Sequence, residues 1–151
     1  MATGWGRRSR VDYCSKTLVG QTPSAAPSAW WASLHTGNPG DDGQTANEVT
    51  TTTSGYARQS VTWNTLTAYT SVTVDTASTA SNSALITFGP SAGASAAWGT
   101  ITYAGVWINV SSTTEANYMG RALASASQSV GGAGISITIA ASALTMGIIS
   151  A

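Results

Sequence analysis

The chain has 151 residues, of which only 8% are charged, and its six basic and six acidic side chains give a formal net charge of zero. This length supports one domain that buries a core without a metal ion or a disulfide. Zero net charge excludes a long-range field that would steer the molecule to nucleic acid or anionic lipid, and it favours association into an assembly.

The positive charge is concentrated at the start of the chain. Four of the six basic residues lie there: Arg7, Arg8, Arg10 and Lys16. This arm is either solvated or docked on an acidic surface of a neighbouring subunit. So short a cluster offers few phosphate contacts, which argues against binding nucleic acid. We therefore take the three arginines as interface candidates, together with Trp5, which lies between two glycines and is the best candidate for an intersubunit anchor.

A short helix is predicted over residues 10–19. Val11, Cys14 and Leu18 fall there at helical spacing. Cys14 is the sole cysteine, so an intrachain disulfide is excluded, and a lone cysteine in such a place is typically a small buried hydrophobe. The Ser/Ala-rich stretch that follows contains two prolines and predicts a connection.

The remainder of the chain predicts short strands separated by polar turns. The candidates are rich in β-branched and aromatic residues and lie at 29–35, 56–63, 66–74, 84–88, 98–110 and 118–124, with two more near the C-terminus. In the uncharged tail, isoleucines alternate with smaller residues over 135–140, which indicates a strand and not a membrane span. About eight short strands predict an all-β single domain of the sandwich or jelly-roll type. We divide the chain into an arm, short helix and linker at 1–28 and a β-sandwich at 29–151.

Little in the sequence can support catalysis. His35 is the only histidine and lies at a predicted strand end, where a structural role is more common than that of a general base. A nucleophilic pair would have to join it in space to Cys14, which nothing in the sequence activates. One histidine and one cysteine nearly exclude a transition-metal site. We predict no catalytic residue, no cofactor and no metal site, so the protein is not an enzyme.

The acidic loop around Gly43 leaves one alternative open. Asp41, Asp42 and Glu48 flank this glycine as in oxygen-rich calcium loops. The EF-hand pattern fails, because Val49 stands where the bidentate glutamate should be. A turn whose side chains bond their own backbone is the favoured interpretation, and an adventitious ion is the alternative.

Six tryptophans are many for this length. Such rings usually fill cores and interfaces, each burying about 150–250 Å². Exposed tryptophans also form platforms for sugars, so a receptor-binding role is the alternative.

Several blocks of sequence resemble a known family. They are ASLHTGNPG at 32–40, ANEV at 46–49, GYARQSVT at 55–62, ALITF at 84–88, WGTIT at 98–102 and GVW at 105–107. In this order and spacing they are similar to a family of small virion proteins of tailed bacteriophages, whose members are often labelled tail fibre proteins and resemble small β proteins that decorate capsids. The resemblance covers most of the chain from Trp30 to about Met146. It weakens over 5–16, which is more basic than the family pattern, and over 65–81, which is longer.

One charge pair can be predicted from position. Arg58 is a rare charge inside a predicted strand, and Glu48 lies upstream across a predicted hairpin. We expect the two side chains to pair and to fix the loop between them.

The resemblance implies a structural protein of the virion whose partners are other virion proteins. Our first expectation is a head decoration (cement) protein that is a trimer, binds the major capsid protein and stabilises the capsid lattice by mass action. The alternative is a tail fibre or tail-associated protein that contacts the host surface. A third possibility, a hydrolase of cell-wall sugars, would need paired carboxylates about 5–10 Å apart, and the chain has few acidic residues. Nucleic acid and membrane are not expected as partners.

Overall fold

The computed structural model describes residues 3–22, 27–43, 45–50, 54–64, 79–92 and 97–147. Strands are the main regular structure among these residues, and the one α-helix is α1 (Arg7–Val19), so the all-β prediction is confirmed. The strands are β1 (Thr3–Trp5), β2 (Trp31–His35), β3 (Gln59–Ser60), β4 (Thr79–Ser81), β5 (Ile86–Phe88), β6 (Gly99–Trp107), β7 (Tyr118–Val130), β8 (Ile137–Ile139) and β9 (Thr145–Gly147).

The main sheet has five antiparallel strands in the order β1-β7-β6-β2-β3. Its centre is the β6–β7 hairpin, whose connection contains a 3-10 turn at Glu115–Asn117. Two further antiparallel ribbons pair β4 with β9 and β5 with β8. Segment 1–28, predicted as an arm, therefore contributes an edge strand to the sheet.

Most of the predicted strands are present, with altered bounds. The candidates at 29–35 and 98–110 become β2 and β6, and the one at 118–124 continues to Val130. The candidate at 56–63 holds only the short β3, and the one at 66–74 lies outside the described residues. β1 and β4 were not predicted. The finer expectation of a sandwich or jelly roll, and the division at residue 28, stay predictions.

The main sheet is buried on both faces at its centre. One face carries small and aliphatic side chains that belong to the hydrophobic core: Ala32, Leu34, Ala104, Val106 and Ala122. Because successive strand residues point to opposite faces, the other face carries Ser33, His35, Gly105 and Trp107, which are also buried. We call these four residues the polar face.

A bulge corrects the predicted alternation in β6. The sequence pattern placed Ile101 on the same face as Tyr103 and Gly105. The structure has a register shift between Ile101 and Tyr103, and Ile101 packs in the core with Ala104 and Val106. Two residue steps in β6, from Ile101 to Tyr103, face five in β7, from Gln128 to Leu123, and sequence periodicity does not show where such an irregularity happens.

Aromatic rings fill the core beneath the β5–β8 ribbon. The Tyr56 and Phe88 rings stack at 6.1 Å between centroids, and Trp98 meets Tyr56 edge-on at 5.8 Å. The Trp98 indole N–H donates to the Ser54 carbonyl at 2.9 Å, so its buried polar group is satisfied.

Helix α1 docks on the sheet through its first turn. The Gly6 N–H and the Ser9 hydroxyl both donate to the Met119 carbonyl, at 2.8 Å each. The helix ends at Gly20, whose φ of 70° is left-handed and costs little for glycine. The prediction of a short helix is confirmed, but the expectation that Cys14 is buried is wrong, because its side chain is exposed.

Asn82 organises the C-terminal turn. Its fully buried side-chain amide donates to the carbonyls of Ala84 (2.8 Å) and Ala140 (2.9 Å), and its carbonyl oxygen accepts from the Leu144 N–H (2.9 Å). Three backbone groups from two segments are thus satisfied by one side chain.

Replacing Asn82 with Ala should lower the free energy of unfolding by about 3 kcal/mol, because three buried backbone groups lose their partner. Asn64→Ala is the matched control, since the exposed Asn64 amide donates to the Ser81 hydroxyl at 3.0 Å. Denaturant unfolding of both variants measures the difference. Equal losses would contradict the organising role of Asn82.

Candidate functional site

The polar face is covered by a buried ion pair. Arg58 Nε and Nη2 each lie 2.7 Å from a different oxygen of the Glu48 carboxylate, a bidentate geometry. The two side chains are only 5% and 9% exposed. The Arg58 guanidinium also lies over the Trp107 ring, with its central carbon 3.8 Å from the ring centroid. The structure thus brings together the two residues whose pairing the sequence predicted.

Tyr56 ties this ion pair to the main sheet. Its hydroxyl donates to Glu48 Oε1 at 3.1 Å and accepts from the Leu34 N–H at 2.9 Å. Burial, reinforced by the negative charge of Glu48, raises the pKa of the Tyr56 hydroxyl. The phenol therefore stays neutral and keeps both hydrogen bonds.

A second chain of hydrogen bonds runs inside the polar face. The Trp107 indole N–H donates to Ser33 Oγ at 2.8 Å, and Ser33 Oγ lies 2.7 Å from His35 Nε2. Gly105 makes room for it, because a Cβ there would lie 2.5 Å from Ser33 Oγ and 2.7 Å from His35 Nε2. Any other residue at position 105 would displace these groups.

His35 is held neutral in this position. Burial lowers its pKa from 6.5 to about 4, with Glu48 opposing the shift and Arg58 adding to it. Its Nδ1 atom is buried and has no hydrogen-bond partner among the described residues. A protonated ring here would bury a charge beside Arg58, so His35 is a structural residue of the core.

The geometry offers no catalytic pair of His35 and Cys14. His35 is fully buried on β2, and Cys14 is exposed on α1.

The carboxylate of the acidic loop is bound by arginines: Asp41 accepts from Arg10 at 3.0 Å and from Arg121. The hydrogen bond from Arg121, with Arg10 adding to it, lowers the pKa of the Asp41 carboxyl. Within the described ranges no group of three His, Cys, Asp or Glu residues could hold a metal ion.

The predicted interface arginines lie in contacts within the chain. Arg7 pairs with Glu115 at 3.0 Å, Arg10 pairs with Asp41, and Arg8 donates to the Ala116 carbonyl at 2.6 Å. The Arg7 and Arg10 side chains stay 60% and 51% exposed. For Trp5 the backbone pairs with Gly120, and its side chain lies outside the described part.

Most of the tryptophans whose side chains the structure describes pack against other side chains of the chain. Trp98 and Trp107 are buried, and Trp30 meets Trp63 edge-on at 5.9 Å between ring centroids. Sequence reasoning missed the Ser33–Trp107 bond and the buried Asn82. The one signal for the former was a glycine inside the longest predicted strand, which often marks a close approach.

Among the described residues, no helix has the length and apolar character needed to cross a membrane.

Arg58→Met should lower the free energy of unfolding by about 3–5 kcal/mol, because it leaves the Glu48 carboxylate buried without its counter-charge. Arg7→Met, which breaks an exposed pair, should cost less than about 1 kcal/mol. The double variant Glu48→Gln/Arg58→Met should recover part of the loss. Similar unfolding midpoints for the two single variants would contradict a buried pair that fixes its loop.

The stability of the protein should fall as the pH falls from 6.5 to 4. The unfolded chain takes up a proton on His35 below about pH 6.5, and the folded chain does so only near its lowered pKa of about 4. This difference in proton uptake should lower the free energy of unfolding by about 2 kcal/mol between pH 7 and pH 4.5. Urea unfolding at both pH values should show a smaller difference in His35→Asn. An unchanged difference would refute the assignment to His35.

Comparison with known proteins identifies the family of this chain. No curated protein matches the chain. A family model described as "Podophage GP4 fiber I protein gp80" matches residues 13–147, from the middle of α1 through β9. The resemblance to tailed-phage virion proteins is thereby confirmed. The chain belongs to the podophage GP4 fibre I protein gp80 family, a family of phage fibre proteins.

Proposed function

We propose that this protein is a tail-associated fibre component of the virion and that it acts by contact, without catalysis. The observation that carries the proposal is the fibre-family match over residues 13–147. The family description favours this reading over the head decoration protein that was our first expectation.

The state of the acidic residues supports a non-enzymatic role. A glycoside hydrolase needs two available carboxyl groups. Asp41, Glu48 and Glu115 are each ion-paired to an arginine of the same chain. Carboxylates held in this way stabilise the fold and are poorly placed to exchange protons with a substrate.

The partners that we propose are other virion proteins and further copies of the chain, with a trimer as the simplest closed fibre unit. The N-terminal segment is the attachment region, through Trp5, Arg7, Arg8 and Arg10. Arg7 and Arg10 are ion-paired yet more than half exposed, so a neighbour can contact them while their carboxylates stay bound. A rim of such pairs gives orientation more than affinity.

Copy number and position on the particle test this function. Gold-labelled antibody against the protein should mark the tail end of purified virions in electron micrographs, and gel densitometry should give a few dozen copies or fewer per particle. Label over the whole head with hundreds of copies would instead establish a head decoration protein. Particles stripped of a decoration protein should also break at lower temperature, whereas loss of a fibre should leave the head intact.

A further inference from the structure

A cavity of about 300 Å³ lies at the edge of the hydrophobic core. Leu34, Ala104 and Ala122 line it from the core face of the main sheet, and Ile137 of β8 and Leu144 line it from the opposite side. Each of these five residues exposes 9% of its surface or less, so solvent reaches little of the wall. We call this space the core cavity.

An irregularity between β6 and β7 accounts for the space. Strand β6 pairs Ile101 with Gln128 and Tyr103 with Leu123, so residues 124–127 of β7 have no partner on β6. The first three of these residues line the core cavity, and none of them has a side chain larger than that of serine. Irregularities of this kind are common next to functional sites, where they change the course of a strand.

The wall of the core cavity is suited to an apolar occupant. Its buried residues are all aliphatic, and none of the described residues that line it is charged. Its polar side chains, among them Gln128 and Thr138, belong to exposed residues and therefore lie toward the opening. Water in a protein cavity needs about two to four hydrogen-bond partners, and aliphatic side chains supply none. An ion would find no counter-charge on this wall.

We propose that the core cavity is a binding site for a small, uncharged, apolar molecule. Protein interiors pack as densely as organic crystals, so an apolar space of this size is uncommon in a core. A dry apolar cavity of about 150 Å³ takes up benzene, and the core cavity therefore has room for roughly a dozen non-hydrogen atoms. Binding is driven by the removal of the apolar surface of the ligand from water.

This site goes beyond the proposed function and does not depend on it. The core cavity shares no residue with the polar face, with the Arg58–Glu48 pair or with the exposed arginines of the N-terminal segment. Ligand binding and attachment to the virion can therefore be tested separately.

Butylbenzene is the probe for the full-length protein, because it is apolar, uncharged and larger than benzene. At saturation it should raise the urea midpoint of unfolding, since a ligand that binds only the folded state stabilises it by mass action. It should also shift the methyl NMR signals of Leu34, Ile137 and Leu144. The matched ligand 4-phenylbutyrate has a similar skeleton with a carboxylate, and it should bind at least about tenfold more weakly because its charge must leave water.

Leucine substitutions that fill the space locate the site. Ala104→Leu and Ala124→Leu both enlarge side chains of the wall, so each should keep the circular dichroism spectrum of the wild type and lose the response to butylbenzene. Ala124 has no partner on β6, which keeps the test available if Ala104→Leu does not fold. Ala141→Leu is the matched control, since Ala141 is exposed and is not among the residues that line the cavity.

Two results would overturn the site. One is a wild type in which saturating butylbenzene changes neither the unfolding midpoint nor the methyl signals. The other is an undiminished response in the folded Ala124→Leu variant, which would place any binding elsewhere on the protein. Neither result affects the position of the protein on the virion, which the gold label tests separately.

Discussion

The buried guanidinium of Arg58 is the constraint on which this fold depends. It lies between the Trp107 ring and the Glu48 carboxylate, so it joins the loop before β3 to the centre of the main sheet. A charge this deeply buried requires its counter-charge, because each alone would bear the cost of leaving water. The loop that carries Glu48 therefore has one position in which it can cover the polar face of the main sheet. Tyr56 fixes that position, because its hydroxyl bonds both Glu48 and the Leu34 N–H.

Some of this arrangement could be predicted from sequence and some could not. Arg58 and Glu48 are ten residues apart in a chain with few charges, so their pairing was a local inference. Strands β2 and β6 followed from β-branched and aromatic residues. The Ser33–Trp107 bond joins residues 74 positions apart. Their meeting depends on the register between β2 and β6, which leaves no periodic trace in the sequence.

The N-terminal helix shows a different limit. Its spacing correctly indicated which residues share a side, but it could not indicate whether that side meets the body or the solvent. The counter-charges of Arg7 and Arg10 lie far along the chain, at Glu115 and Asp41, so sequence position does not show that these arginines are paired within the chain. A pattern assigned to a lone chain assumes that every apolar residue has its partner within that chain, and the exposed Val11 and Leu18 do not meet that assumption.

Every arginine of the chain has a carboxylate of the same chain beside it. Opposite charges a few ångströms apart act outside the molecule as small dipoles, whose potential decays faster than that of a lone ion. The electrostatic interaction of this surface with a neighbouring protein is therefore significant only at van der Waals contact, where shape complementarity determines binding. Dissolved ions have little left to screen. An interface formed on this surface would therefore have nearly the same affinity at low and at high salt concentration.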